Sequence, residues 1–352
     1  MKSSRPSHSC LSIILFLILL VFLWIVSGWN TDNSDMDNYI KEYEWAHNLS
    51  SSLNLHFGYG LIEYFCIQLG FDYYQYRIFI YGIGLFLYGV TIYRWSPNII
   101  LMLFFFIVIH FLRDVVETRN FIASIFIFLL IEAMGRENKS HKLYTALLIF
   151  LAFSVHMAFI SCFVFLLTEK KKWNYWKLLL LSALFSIVFR RVYMSGGLYT
   201  IANMFDGGEE KLNEVNELIP RFAVYLSIAL AVFNGLCLMY FNNLINVNPA
   251  IKEYRIRHLT IEKYSFIINN MNALSNFIII FTVINGAFLS RTFVNITLLN
   301  LIYFLSIIHC VKERRSFSII VIFIYVSIYT YFLQITPFQY HLLMVFGNNE
   351  LF

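Results

Sequence analysis

Along this chain the apolar positions come in long runs, and the charged positions gather between them. That is neither the alternation of a half-buried strand nor the single stripe of a surface helix. Positions 11–26 hold sixteen residues without a charge, and 304–310 and 319–333 are parts of similar runs. An apolar helix of about 20 residues, at about 1.5 Å per residue, crosses the hydrocarbon core of a bilayer. The pattern predicts spans over 10–27, 77–93, 98–112, 120–134, 175–189, 221–241, 264–288, 292–311 and 318–335. Two further apolar stretches do not read as simple spans. The stretch 56–71 is short and interrupted by Gly58, Gly60, Glu63 and Gln68, and 143–167 is basic on both flanks.

Lysine and arginine in short loops set orientation, because they are retained on the cytoplasmic side. Lys2 and Arg5 place the N-terminus there, and the acidic segment 30–52 falls outside. The first run is followed by Ser27-Gly28-Trp29, without a clear small-residue cleavage pattern, so it reads as an uncleaved span. Taking 56–71 as a re-entrant helix puts Arg136, Lys139 and Lys142 inside. Lys170, Lys171 and Lys172 belong inside as well, so 143–167 must cross an even number of times. It is predicted to be a hairpin with Ser154-Val155-His156 near its tip. Lys252, Arg255, Arg257 and Lys263 then lie inside, as do Lys312, Arg314 and Arg315. The expectation is an all-α polytopic membrane protein of about 11 membrane-embedded helices, counting the hairpin. It forms a single domain over 1–352, with extracytoplasmic segments near 28–76 and 192–220.

Composition agrees: 59% of the 352 residues are hydrophobic and 13% charged, too few charges to cover a soluble fold of this size. A formal charge of +5 without a basic tail or stripe gives no footprint for nucleic acid. The five cysteines are scattered and form no CxxC pair, so neither a metal site nor a disulfide framework is expected. No phosphate-binding loop, dinucleotide fingerprint or nucleophile elbow is present, and no cofactor is implied.

In the predicted topology Arg113, Arg119, Arg190, Arg191, Arg221 and Arg291 all stand at outer helix ends, where the charge bias depletes arginine. Guanidinium groups match phosphate oxygens and stay charged at any working pH, so the set suits an anionic lipid-linked substrate, a lipid diphosphate above all. The plainer reading is snorkelling or local pairing, since Asp114 and Glu117 lie beside Arg113 and Arg119. Ionisable residues at membrane depth are costly, which singles out His156 and Glu63. His156 is equally a packing residue; Asp37, in the acidic loop, is equally a solvated carboxylate. Any of the three is a candidate general base. Asn269, Asn272 and Asn276 share a helix face and are expected to bond between helices.

The chain resembles the EpsG family of bacterial polysaccharide polymerases, the Wzy-type group that includes O-antigen polymerases. The resemblance runs from Asp35-Met36-Asp37-Asn38-Tyr39 and Tyr43 to His56-Phe57-Gly58-Tyr59-Gly60-Leu61-Ile62. It continues through Arg119-Asn120-Phe121-Ile122-Ala123-Ser124 and Leu151-Ala152-Phe153-Ser154-Val155-His156-Met157-Ala158 to Arg291-Thr292-Phe293. Where the family usually carries an acidic residue before the glycine-containing segment, this chain has His56. The resemblance implies a GT-C-like membrane glycosyltransferase in the bacterial inner membrane. It would transfer a growing glycan from undecaprenyl diphosphate to a lipid-linked repeat unit at the periplasmic face, with arginines on the diphosphate. A flippase and a chain-length regulator are the implied protein partners. An O-antigen ligase and a lipid-linked oligosaccharide flippase are the competing readings.

Overall fold

The computed structural model describes residues 8–52, 56–134, 141–168, 171–194, 223–256, 259–277, 279, 287–311 and 314–347. The described chain is mostly helical, its only strands being the two-residue pair β1 (Arg255–Ile256) and β2 (Leu259–Thr260). Among the described residues four helices are long and apolar enough to cross a membrane: Cys10–Gly28, Tyr73–Trp95, Ile99–Val116 and Tyr225–Val247.

Helix α1 (Cys10–Gly28) is capped by Ser9, whose hydroxyl accepts from the Ser12 amide. Beyond it come α2 (Met36–Trp45), the single turn α3 (Leu49–Ser52) and α4 (Phe57–Gln68). At twelve residues α4 is about 18 Å long, well short of a bilayer core. Gly70, at φ +82°, then turns the chain at once into α5 (Tyr73–Trp95), where Asp72 and Gln75 form a reciprocal capping box. A left-handed residue is needed there, and glycine takes it without a Cβ clash.

The next span is interrupted. Helix α6 (Ile99–Phe106) passes through a π-helical turn (Ile107–Phe111) into α7 (Leu112–Val116), and a sharp corner at Glu117 starts α8 (Thr118–Phe128). The run expected over 120–134 breaks at Leu129 into α8 and α9 (Leu130–Met134). The expected hairpin is present. Helix α10 (His141–Val155) ends at His156, which is extended, and a 3-10 helix (Met157–Leu167) follows. The Phe153 and Phe163 rings are 5.9 Å apart, whereas ten residues of straight helix would separate them by about 15 Å. The chain therefore folds back.

Helices α11 (Tyr175–Met194), α12 (Ala223–Val247), α13 (Pro249–Glu253), α14 (Ile261–Ser275), α15 (Ala287–Cys310) and α16 (Arg315–Gly347) complete the bundle. The single helix expected over 264–288 stops at Ser275, with Asn276 as its C-cap. The asparagine amides explain how these helices hold register. The Asn234, Asn272 and Asn300 side chains bond in a closed ring at 2.7–3.1 Å, and the Tyr325 hydroxyl donates to Asn234 at 3.0 Å. All four are buried, so each amide without its partners would carry the full cost of desolvation. Replacing Asn272 with leucine is expected to cost about 1–3 kcal/mol by stranding the Asn234 and Asn300 amides. A lowered melting temperature of the detergent-solubilised protein would register it.

Candidate functional site

The corner between α7 and α8 is held from α5. Arg77, fully buried, donates through Nε to the Ser27 carbonyl at 2.9 Å and through Nη2 to the Val115 carbonyl at 2.7 Å. One turn on, the Tyr81 hydroxyl donates to the Asp114 carbonyl at 2.6 Å. Asp114 is braced in turn by Asn120 Nδ2 at 3.1 Å and by His110 Nδ1 at 3.5 Å. These contacts present Arg113 and Arg119 from opposite sides of one short turn.

Arg113 is buried. Its Nε meets the Glu117 carboxylate at 3.2 Å, and both of its Nη groups lack an acceptor. Arg119 is partly open. Its Nη1 lies 3.3 Å from Glu42 Oε1, its guanidinium stands 5.3 Å from the centre of Tyr39 and 5.8 Å from that of Tyr59, and its Nε is buried without an acceptor. Cation–π contact with two tyrosines offsets part of the lost hydration. Helix α2 supplies this arrangement by periodicity: Met36, Tyr39 and Tyr43 are buried at a three-to-four-residue spacing, with Glu42 at their edge. Burial raises the Glu42 carboxyl above its ordinary range, Arg119 pulls it back, and Asp35 adds to the rise.

On α4, Tyr59 and Glu63 lie one turn apart on one face. Glu63 is 2% exposed behind Tyr59, with Oε1 lacking a donor, and is close enough to feel the charges of Glu42 and Arg119. His56 stands at the N-cap of the same helix, and its ring meets His156 edge-on at 5.3 Å. His156 Nδ1 accepts from the Ala158 amide at 3.3 Å, so in the neutral ring the proton sits on Nε2. The helices approach closely at Gly58, where a Cβ would collide with Ser154 Oγ and lie 2.8 Å from its Cβ and 2.9 Å from its carbonyl carbon.

The structure thus brings Arg113, Arg119, Glu63 and His156 to one end of the bundle, and leaves Asp37 exposed on the side of α2 away from Tyr39. Arg190, Arg191, Arg221 and Arg291 have side chains outside the described residues. Sequence reasoning did not single out Arg77, Glu42 and Tyr59. Arg77 had a weak signal, an arginine at the first position of an expected span; Glu42 was one acid among several in a loop.

Four stretches from three regions of the sequence therefore meet: the neighbouring acidic and glycine-containing helices, the arginine-led helix and the histidine hairpin. A family model for the EpsG family matches residues 13–345, nearly the whole chain. The chain belongs to the EpsG family. This is the family of Wzy-type polymerases, and membership points to a polysaccharide-polymerase-like role at a membrane. No curated protein and no solved structure matches the chain.

Within an EpsG-family frame, the site combines guanidinium groups with unmatched donors, a part-open carboxylate and a tyrosine platform. Among the described residues no group of three or more His, Cys, Asp and Glu side chains is placed to hold a metal ion. Gly58→Ala is expected to separate α4 from the hairpin and lower thermal stability. Ser154→Gly in the same chain should restore part of the loss, since it removes two of the three close contacts. Failure of the double variant to recover any stability would show that this approach does not limit packing.

Proposed function

We propose that this protein polymerises lipid-linked polysaccharide repeat units, transferring a growing glycan from undecaprenyl diphosphate to an incoming lipid-linked repeat unit. The reaction takes place on the periplasmic face of the bacterial inner membrane. The observation that carries the reading is the set of buried guanidinium N–H groups without acceptors at one corner: Arg113 Nη1 and Nη2, and Arg119 Nε. Unmatched buried donors are costly, and a multivalent anion such as a diphosphate supplies the missing acceptors.

The chemistry follows from these groups. An acceptor hydroxyl attacks the anomeric carbon of the donor glycan, the bond from that carbon to the diphosphate oxygen breaks, and undecaprenyl diphosphate leaves with the electron pair. Arg113 and Arg119 stabilise the charge that develops on the leaving group. Glu42 takes the proton from the acceptor hydroxyl. Diphosphate binding at Arg119 removes the cation that holds the Glu42 carboxyl down, so the base strengthens when the donor arrives. His156, with Nε2–H, donates to a substrate oxygen. Glu63, behind Tyr59, tunes the charge of the site, and Asp37 takes no part. Glu42, rather than His156, Glu63 or Asp37, is the base because it alone of these carboxylates and the histidine pairs with Arg119.

Cells in which Arg119→Ala replaces the native residue should carry glycan capped at one repeat unit at normal protein level. The elongation rate should fall by about 10²–10³, the usual cost of one charge-stabilising donor. Long chains in that strain would overturn the reading. Loss of all glycan from the lipid core would point to ligation, and accumulation on the cytoplasmic face to flipping.

Glu42→Gln is expected to slow elongation by about 10²–10⁴ and to abolish the acid limb of its pH profile. In the native protein that limb should lie above the ordinary carboxylate range, because a base must lose its proton and burial raises the Glu42 carboxyl. Asp37→Asn should elongate normally.

A further inference from the structure

A second polar site lies at the other end of the bundle. Helix α10 and the 3-10 helix each run about 22 Å away from the His156 tip. Asn270 then ties the following segment to α14, accepting from the Trp173 amide at 2.9 Å and donating to the Thr168 carbonyl at 2.6 Å. Helix α11 therefore begins at Tyr175 far from Arg119. Between the start of α11 and the end of α12 opens a cleft of about 620 Å³, in the size range of small-molecule sites. Tyr175, Trp176, Asn242, Asn243, Asn246 and Asn269 line it.

The cleft is built rather than incidental. Gly235 forms part of its wall, and a Cβ there would lie 2.5 Å from the Tyr175 ring. The Tyr175 and Trp176 rings stand edge to face at 5.4 Å, and the Tyr175 hydroxyl is anchored on the Ala231 carbonyl at 2.5 Å. Asn242 and Asn269 exchange hydrogen bonds at 2.8 and 3.0 Å, and Asn242 Oδ1 also accepts from Tyr303 at 2.7 Å and Ser265 at 3.0 Å. Two amides are thus fixed in place, while Asn243 and Asn246 stay exposed.

Among the described residues the lining carries no lysine, arginine, aspartate, glutamate or histidine, so a phosphate or an ammonium group would enter without a counter-charge from them. Amides offer paired donors and acceptors, and aromatic faces accept apolar C–H surface. Hydroxyl-rich, uncharged rings match both. We propose that this cleft binds an uncharged glycosyl or polyol group, separate from the arginine site and independent of the polymerase reading. The group comes either from a glycolipid headgroup or from a free sugar.

The test uses the full-length protein in an amine-oxide detergent, with native mass spectrometry to count bound hexyl β-glucoside, hexyl phosphocholine and free glucose. The expected result is a single saturable glucoside adduct, weakened at least about tenfold by Asn243→Leu with Asn246→Leu. Binding of the glucoside but not glucose assigns a glycolipid headgroup; binding of both, with the same loss in the variant, assigns a free sugar. Trp176→Leu serves as a second variant with the same expected loss, should the paired change fail to give a monodisperse protein. Absence of a saturable glucoside adduct overturns the proposal. So does unchanged binding in the variants, or phosphocholine binding lost in parallel with the glucoside.

Discussion

A buried guanidinium must find acceptors, a counter-charge or an aromatic face, and that requirement organises one end of this bundle. Arg77 meets it with two backbone carbonyls, from Ser27 and Val115, and so ties α1 and α7 to α5. Arg119 meets it with Glu42, Tyr39 and Tyr59, and so ties α2 and α4 to the start of α8. Arg113 meets it only in part, through Glu117. Apart from α1, the helices that carry these partners are short or broken, so side-chain contacts at this end replace much of what length and burial supply elsewhere.

The opposite end is held differently. Amide networks join α12, α14 and α15 there. Neutral amides carry no charge to be attracted by a substrate anion and need no counter-ion, so they hold helices in register at low electrostatic cost. One molecule therefore uses two kinds of polar glue. Charged pairs dominate around the corner between α7 and α8, and neutral amide networks join α12, α14 and α15.

Glycine has a specific part in this division. Gly58 lets the backbone of α4 approach the Ser154 turn closely enough for His56 and His156 to meet, and Gly84 gives the Phe121 and Ile125 side chains of α8 room against α5. Both lie in apolar stretches where a larger residue would increase burial. Their value is the proximity of elements that carry the site.

Much of the architecture was legible in the residues themselves. Apolar run length and charge bias predicted the helices and the fold-back at His156, because helix length against bilayer thickness and lysine placement are local properties of the chain. The approximate span limits came from the same source, although the breaks at Leu129 and Ser275 did not, since no proline or glycine marks either one. His156 and Glu63 stood out as costly ionisable residues in apolar stretches, and Arg119 as an arginine at an outer helix end. Which carboxylate faces Arg119 was not legible: Asp35, Asp37, Glu42 and Glu44 are near neighbours in one acidic stretch. Helical phase against α4 and α8 decided it, turning Glu42 inward beside Tyr39 and Asp37 out to the surface. The role of Arg77 waited on tertiary structure for the same reason, since the carbonyls it binds lie 50 and 38 residues away.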